Sequence, residues 1–535
     1  MTIISQPKVT VNKLPATLPV GVEAQKILVV GQITAAATVT PDTLYEGVAK
    51  ADLSNFGEGS MIKNMLKAMF DTLEDSGSLV LPRIDAIPIS DAGAAVDATS
   101  TIVLSEVGGA TGLADEAGTI TITIGSEYNY TASVDIAVGD ALPADIGAAI
   151  VTAVNALTDI PVLASFDTAT VTFTALNGGT VGNGVGIKIG GLTLSGADYV
   201  LGNVKFVLTG FESGATDPTL TSTLDVIGTN RYQTVIHPSE YGTTFSVDDK
   251  LDSRFNVDND ILDGVVIITK TGSYSDLNSA LALLNSQSLV VLCNKPVAEA
   301  TYDGQALLEL DYVISARFAA LRALRRTEDA NITRVTPASA RGSLDASGGI
   351  HISSLPYFNT PLYHVSPIPT GKGFTALEIE NLRTAGGSVV GNNRAGNQII
   401  LGEIATTYKT DVAANADLTW KNLNAVDTMS SAAEYFFVNL KSDFVQSRLT
   451  EGDLINGYAM VNSDAFKAQM VKYYLDLSDE VLVPKGSVAL AYFSDNITIL
   501  IDMVSGKITG NANMPIVVQL REILVNLKTT FTIAE

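Results

Sequence analysis

A chain of 535 residues is too long for a single apolar core, so roughly two to four domains are expected. Apolar residues make up 46% and mean hydropathy is +0.26, yet the longest uncharged helix-like run, Ile146 to Leu157, cannot span a bilayer core of about 30 Å, so no transmembrane helix is expected. The formal charge of −24 argues against a nucleic-acid partner, because phosphate binding rests on clustered Lys and Arg. Cys293, the single cysteine, sits in the apolar run SLVVLC; it excludes an intrachain disulfide and a cysteine-based zinc cluster, and reads as a buried structural thiol. The opening MTIISQPKVTVNKLP lacks the apolar core and small-residue cleavage site of a secretion signal, so the expectation is a protein that stays in the cytoplasm.

Residues 1–20, with Val9, Val11, Leu14 and Leu18 set among polar residues and prolines, read as an extended arm. KILVVGQ, from Lys26 to Gln32, is expected to be the first strand of the folded body. In GEGSMIKNMLKAMF, Met61, Met65, Met69, Leu66 and Leu73 recur at the period of an amphipathic helix whose apolar face is core. From about Ala95 to Gly210 the composition shifts to Thr, Gly, Ala and Val and the period changes to two. Ile120, Ile122 and Ile124 alternate with threonines, and Val171 and Phe173 do the same, with one helix near Ala144 to Leu157, so a separate β-rich domain is expected. The glycines of NGGTVGNGV, Asn177 to Val185, do not have the spacing of a phosphate-binding loop and read as a tight turn.

Beyond Gly210, the apolar runs GVVIIT and SLVVLC flank a helical pattern around Leu281 to Leu284, which predicts β-α-β with parallel strands buried on both faces. A helix near Leu307 to Arg326 gathers Arg317, Arg322, Arg325 and Arg326; a solvated face is favoured there over an intersubunit basic patch of Arg322, Arg325 and Arg326. Residues 336–373 carry Pro356, Pro361, Pro367 and Pro369 and read as a linker. Thr375 and Glu378 form a capping box for a helix ended by Gly386 and Gly387, and strand QIILGEIATTY follows. Ser431 and Glu434 are expected to cap the next long helix in the same way, with Phe436, Leu440 and Phe444 on one face. A helix DAFKAQMVKYYLDL, strands VALAYF and ITILIDM, and a C-terminal arm then close the chain.

The chemistry-bearing residues do not assemble into a motif. His237, His351 and His364 have no second ligand type at metal spacing, GGSVVG and GEGSMI do not match a serine-hydrolase elbow, and the acids from Asp248 to Asp263 lack the glycine and offsets of a calcium loop. No catalytic residue, cofactor or metal is therefore expected.

Thr406, Thr407 and Tyr408, followed by Asp417, Trp420 and a long helix ending at Arg448 and Leu449, resemble the tail sheath proteins of contractile phages. Phe56, Gly57, Gly59 and Ser60 ahead of a helix, and the loop Gly214, Ala215, Thr216, Asp217, Pro218 with Pro238 after a buried strand, are similar to the same family; the strand, helix, strand and Gly-Asn loop of the β-rich segment resembles a domain inserted in Mu-like sheaths. The family's N-terminal Arg-x-Pro-Gly-x-Tyr signature is absent, LPATLPVGVEA standing in its place.

The resemblance implies an α/β (α+β) multidomain fold. Its expected parts are an N-terminal linking arm at 1–20, an α/β domain at 21–94 plus 211–335, the inserted outer domain at 95–210, a linker at 336–373, a C-terminal domain nearest the tube at 374–522, and a C-terminal arm at 523–535. It further implies a helical homo-oligomer of stacked hexamers, with the tail tube, baseplate and tail terminator proteins as partners, in a virion tail assembled in the host cytoplasm, with no nucleic acid bound and no membrane insertion. Val9, Val11, Leu14, Thr530, Phe531 and Ile533 are the expected intersubunit arm residues, and Lys467 and Lys472 the expected tube contact. The alternatives are the sheath of a non-viral contractile injection system, a β-rich surface protein or adhesin, which would need a secretion signal, and a nucleotide-dependent α/β enzyme, which would need a phosphate loop.

Overall fold

The computed structural model describes residues 25–76, 82–108, 112–125, 130–195, 198–220, 223–228, 230–239, 263–295, 309–329, 360–368, 371–393, 399–444, 446–455, 457–479 and 482–517, together with Tyr241, Val247, Leu251, Tyr357 and Gly396. Both terminal arms, most of the linker and His351 lie outside these residues. The chain divides into two compact units, a larger one over 24–327 and 355–427 and a smaller one that includes 428–535.

The larger unit is built on a seven-stranded sheet in the order Ile399–Leu401, Gly387–Asn392, Leu289–Asn294, Val265–Thr271, Thr234–Ile236, Lys26–Gln32, Arg83–Ile89. Every pairing is parallel except that of the edge strand Ile399–Leu401. Runs such as Ile27 to Val30 are apolar at each position because helices cover both faces of such a sheet, and all four residues are fully buried. The helix Met61–Ser76 buries Met61, Met65, Met69, Leu66 and Leu73 as the spacing predicts. Ser273 caps the crossover helix Tyr274–Ala282 through Asp276 N–H, and the Thr375–Glu378 capping box is formed on the helix Ala376–Thr384.

Residues 99–208 form two antiparallel sheets. One has the order Val162–Asp167, Thr170–Ala175, Thr99–Glu106, Val204–Leu208, Asp198–Leu201, Thr193–Ser195, and the other Thr131–Ile136, Gly118–Ile124, Ile187–Gly190. The helix Ala144–Asn155 buries Ile146, Ile150 and Val154. Alternation explains the strands: Ile120, Ile122, Val171 and Phe173 are fully buried while the intervening threonines are not. The segment leaves and rejoins the body side by side, since Val96 and Ala215 exchange backbone hydrogen bonds at 2.9 and 3.1 Å.

The smaller unit packs Phe466, Met470, Tyr474 and Leu477 of the helix Ser463–Asp479 against Ala432, Val461 and Phe493, with Tyr474 stacked on Phe493 at 4.5 Å between centroids. Its hairpin Thr498–Asp502 with Lys507–Asn511 lays Ile499 and Ile508 on that core.

Several expectations change. Strand Gly387–Asn392 pairs with Leu289–Asn294, so residues 374–427 belong to the α/β body and the division falls at Asp427 rather than at 374. Within QIILGEIATTY, strand pairing stops at Leu401, because Ala405 N–H donates to Ser388 Oγ, Thr406 N–H to Lys421 O and Thr407 N–H to Leu289 O, three unrelated partners. VALAYF lies in a helix, Ser487–Asp495: burying Leu490 in part and Phe493 fully while exposing Val488 is a three-residue spacing, and its alanines favour helix. The long helix runs Leu423–Phe444, starting eight residues before the expected cap, so Ser431 and Glu434 are interior to it.

Candidate functional site

In a parallel α/β sheet, ligands bind beyond the carboxyl ends of the strands, with anions at helix N-termini. Here that position is filled by the protein itself. Ser60 Oγ accepts from Lys63 N–H at the start of Met61–Ser76, and Met61 N–H donates to Asn177 Oδ1 at 2.9 Å, so the amide of the Gly-Asn loop occupies the place a phosphate would take. Gln32, the last residue of its strand, donates to Gly178 O at 2.7 Å and accepts from Tyr241 OH at 2.6 Å, and Gly178 N–H donates to Asp91 Oδ2.

The same loop holds the Gly214 to Pro218 segment. Thr180 N–H donates to Asp217 Oδ1 at 2.7 Å, while Asn183 Nδ2 donates to Gly214 O and Asn183 Oδ1 accepts from Gly214 N–H, at 3.0 and 2.8 Å. Two motifs that look separate along the chain are thus halves of one joint. Gly59 shares in it: it has φ +66, and a Cβ there would stand 2.2 Å from Ile160 O.

Thr406, Thr407 and Tyr408 form a second joint. Thr406 and Thr407 are fully buried, Thr406 Oγ1 donates to Trp420 O at 2.6 Å, Thr407 Oγ1 accepts from Ser286 N–H at 3.0 Å, and Tyr408 OH donates to Asp417 Oδ2 at 2.8 Å. Gly386, at φ +92, lies against it, and a Cβ there would stand 2.9 Å from Thr407 Cα. Gly386→Ala should therefore lower the stability of the larger unit by about 2 kcal/mol or more. Gly371, also at positive φ but with open space around it, should cost less when changed to Ala, a contrast that parallel urea titrations would measure.

The arginine cluster is neither a solvated face nor a surface patch. Arg322 is fully buried and Arg326 nearly so; Arg322 Nη2 donates to Asp427 Oδ1 at 2.5 Å, Arg326 Nη1 to the same oxygen at 3.1 Å, and Tyr357 OH to Asp427 Oδ2 at 2.6 Å. Arg322 Nη1 also donates to Gln233 O, and Arg325 is half-buried. Burial opposes ionisation of Asp427, yet the charges of Arg322 and Arg326 hold its carboxyl below the ordinary value. Arg317 is buried beside Glu309 at 3.6 Å. Charge counting along the sequence could not find this cluster, because its carboxylate comes from a helix more than a hundred residues away.

Lys472 is exposed on the outer side of the helix Ser463–Asp479 and Lys467 stands beside the buried stripe. Five residues apart, they are turned by about 140° and do not make one positive face. Burial pushes the Cys293 thiol up to about 12 and leaves it unreactive. Burial likewise takes His237 down to about 4, its Nδ1 lying 2.7 Å from Pro238 O. Because the unfolded imidazole takes its proton near pH 6.5, stability should fall by about 3 kcal/mol as pH drops from 6.5 to 4 and then level off. His237→Gln should flatten that limb of a pH-dependent denaturation series. Among the described residues no group of His, Cys, Asp and Glu could hold a metal ion, and no helix is long and apolar enough to cross a membrane.

No family model matches the chain and no curated protein matches it. Solved structures do. A sheath tail protein of Desulfitobacterium hafniense shares 13% identity over 97% of this chain and 99% of its own, with a TM-score of 0.42, and a sheath tail protein of Listeria innocua shares 10% over 94% of each, with a TM-score of 0.41. The helical sheath of the anti-feeding prophage in its contracted state shares 11% over 98% of this chain and 99% of its own, with a TM-score of 0.43. These are likenesses and not a family assignment.

Proposed function

We propose that this chain is the sheath subunit of a contractile tail, a mechanical protein that polymerises as hexameric rings around a tail tube and contracts to drive the tube through a cell envelope. The observation that carries the reading is the hairpin Thr498–Asp502 and Lys507–Asn511: among the described residues it is a sheet of only two strands, with main-chain groups on both outer sides lacking a strand partner. A free edge of this kind invites an added strand from another chain. The terminal segments around Val9, Val11 and Leu14 and around Thr530, Phe531 and Ile533 have the polar and apolar alternation to supply one. Contacts that pass from copy to copy without closing build an open helical lattice, to be ended by baseplate and terminator proteins. Contraction is then a cooperative passage from a metastable lattice to a compact one while the added strands stay in place. The reading covers a phage tail delivering a genome and a non-viral injection system alike, with Lys472 the better of the two lysines for a tube contact.

Negative-stain electron microscopy of the purified chain tests it. Hollow striated cylinders formed by this chain alone are expected; a dispersed monomer across a wide range of concentration and salt would overturn the assignment.

A further inference from the structure

Lys63 lies on the helix Met61–Ser76, yet its side chain is only 8% exposed. Its Nζ stands 2.7 Å from Asp159 Oδ1 and 2.6 Å from Glu58 Oε1. Asp159 comes from the β-rich segment, between the helix Ala144–Asn155 and the strand Val162–Asp167, and Glu58 from the turn ahead of the body helix. Main-chain packing fixes this frame. A Cβ on Gly59 would stand 2.2 Å from Ile160 O, so the backbone beside Glu58 lies against the backbone beside Asp159. Asp159 is itself held at φ +60, an uncommon conformation for a residue other than glycine.

This is not an ordinary surface ion pair. The Asp159 side chain is 14% exposed, and its Oδ1 is buried and accepts no hydrogen bond although Nζ is 2.7 Å away, so the amine meets the carboxyl off the direction a hydrogen bond takes. Burial opposes the charge on both groups, but the partners' charges outweigh it, holding Lys63 above and Asp159 below its ordinary value. Two charges are thus kept largely out of water, where a single proton crossing from nitrogen to oxygen would remove both. In bulk water, hydration of the two ions opposes amide formation; here most of that hydration is already lost. An amine held against a carboxyl, with a second carboxylate within reach to move protons, is the arrangement that condensation needs. We infer that Lys63 and Asp159 join in an isopeptide bond formed by the chain itself, with Glu58 as the proton carrier.

The step balances. Transfer of one proton from Lys63 Nζ to Asp159 leaves a neutral amine beside a neutral acid, and the nitrogen lone pair attacks Asp159 Cγ. Glu58 takes a second proton from the nitrogen and returns it to the departing hydroxyl, so the C–N bond forms, the C–OH bond breaks and one water leaves. Ammonium and carboxylate become one amide with no other reactant. The Glu58 side chain is 65% exposed, which gives the water a way out. The product ties the helix Met61–Ser76 to the β-rich segment covalently, beside the hydrogen bond that Asn177 accepts from the Met61 N–H. The inference concerns the single subunit and does not rest on the assembly reading.

Mass spectrometry of the purified full-length chain, unfolded before measurement, tests it. The wild type is expected to weigh one water less than its sequence requires. In a tryptic digest, cleavage after Lys63 should be lost, and the peptides holding Lys63 and Asp159 should be recovered as one branched species. Lys63→Arg and Asp159→Ala should each weigh what their own sequences require, and Glu58→Gln should leave most of the chain at its full mass. A wild type of full mass that releases a peptide ending at a free Lys63 would overturn the inference, as would a water loss that maps to other residues. A Glu58→Gln chain that loses water as readily as the wild type would overturn the proton-carrier step. The wild-type measurement decides whether the bond exists, whether or not any variant folds.

Discussion

Asp427→Ala is expected to destabilise the larger unit by about 3 to 5 kcal/mol, because it leaves buried guanidinium groups without their carboxylate. Arg322 is held by Gln233 O and by Thr234 Oγ1, both at 2.5 Å, and so is not free to swing to solvent when its partner is lost. Tyr357 OH loses its acceptor in the same change, which adds an unsatisfied buried hydroxyl. Asp427→Asn keeps the shape and one acceptor and should cost less. The sign with pH follows from the depressed carboxyl: its contribution is present above an unfolded aspartate's value of about 3.9 and is lost as pH falls through the lower folded value. The chain has two units and will not unfold in one step, so exchange of the Leu289–Asn294 amides under globally opening conditions is the appropriate readout. An Asp427→Ala chain with unchanged protection in that strand would show that the cluster is not a stabilising joint.

Deleting residues 1–18 or residues 529–535 is expected to leave both compact units folded and to abolish cylinders. A strand added to an edge contributes several main-chain hydrogen bonds at about 0.5 to 1.5 kcal/mol each. Losing a modest total of about 3 kcal/mol per contact raises the concentration needed for assembly more than a hundredfold. Sedimentation with parallel microscopy separates the outcomes: soluble, folded subunits that do not pellet support strand exchange between copies. Cylinders unchanged by both deletions would mean that side-chain contacts alone hold the lattice.

Much of the body was legible because its signals are local. The run Ile27 to Val30, the methionine stripe from Met61 and the Thr375–Glu378 box each fix one element within a few residues, and each forms. Ser431 and Glu434 carry the same kind of signal and mislead, since tertiary contacts at Leu423 and Asp427 extend the helix past its local start. VALAYF reads equally as strand or helix over six residues, and only the placement of Phe493 under Tyr474 decides it. The sequence misplaces the arginines for a different reason. Charge is expected outside, and nothing near Arg322 in the sequence announces that Asp427 will meet it in the interior. The joints are visible in part: Thr406 to Tyr408 with Trp420, Asn177 to Val185, and the loop holding Asp217 stand out as motifs, but that Asn177 to Val185 meets Asp217 and Gln32, and Thr407 meets Ser286, is found only in three dimensions.

The chain enters and leaves the β-rich segment at Val96 and Ala215, which are joined by a pair of backbone hydrogen bonds, so the two ends of the segment lie side by side. A foreign domain whose ends lie a few ångströms apart could be spliced in its place. Such a graft would have to replace what Asn177 does for the Met61 N–H, or the first turn of that helix would fray.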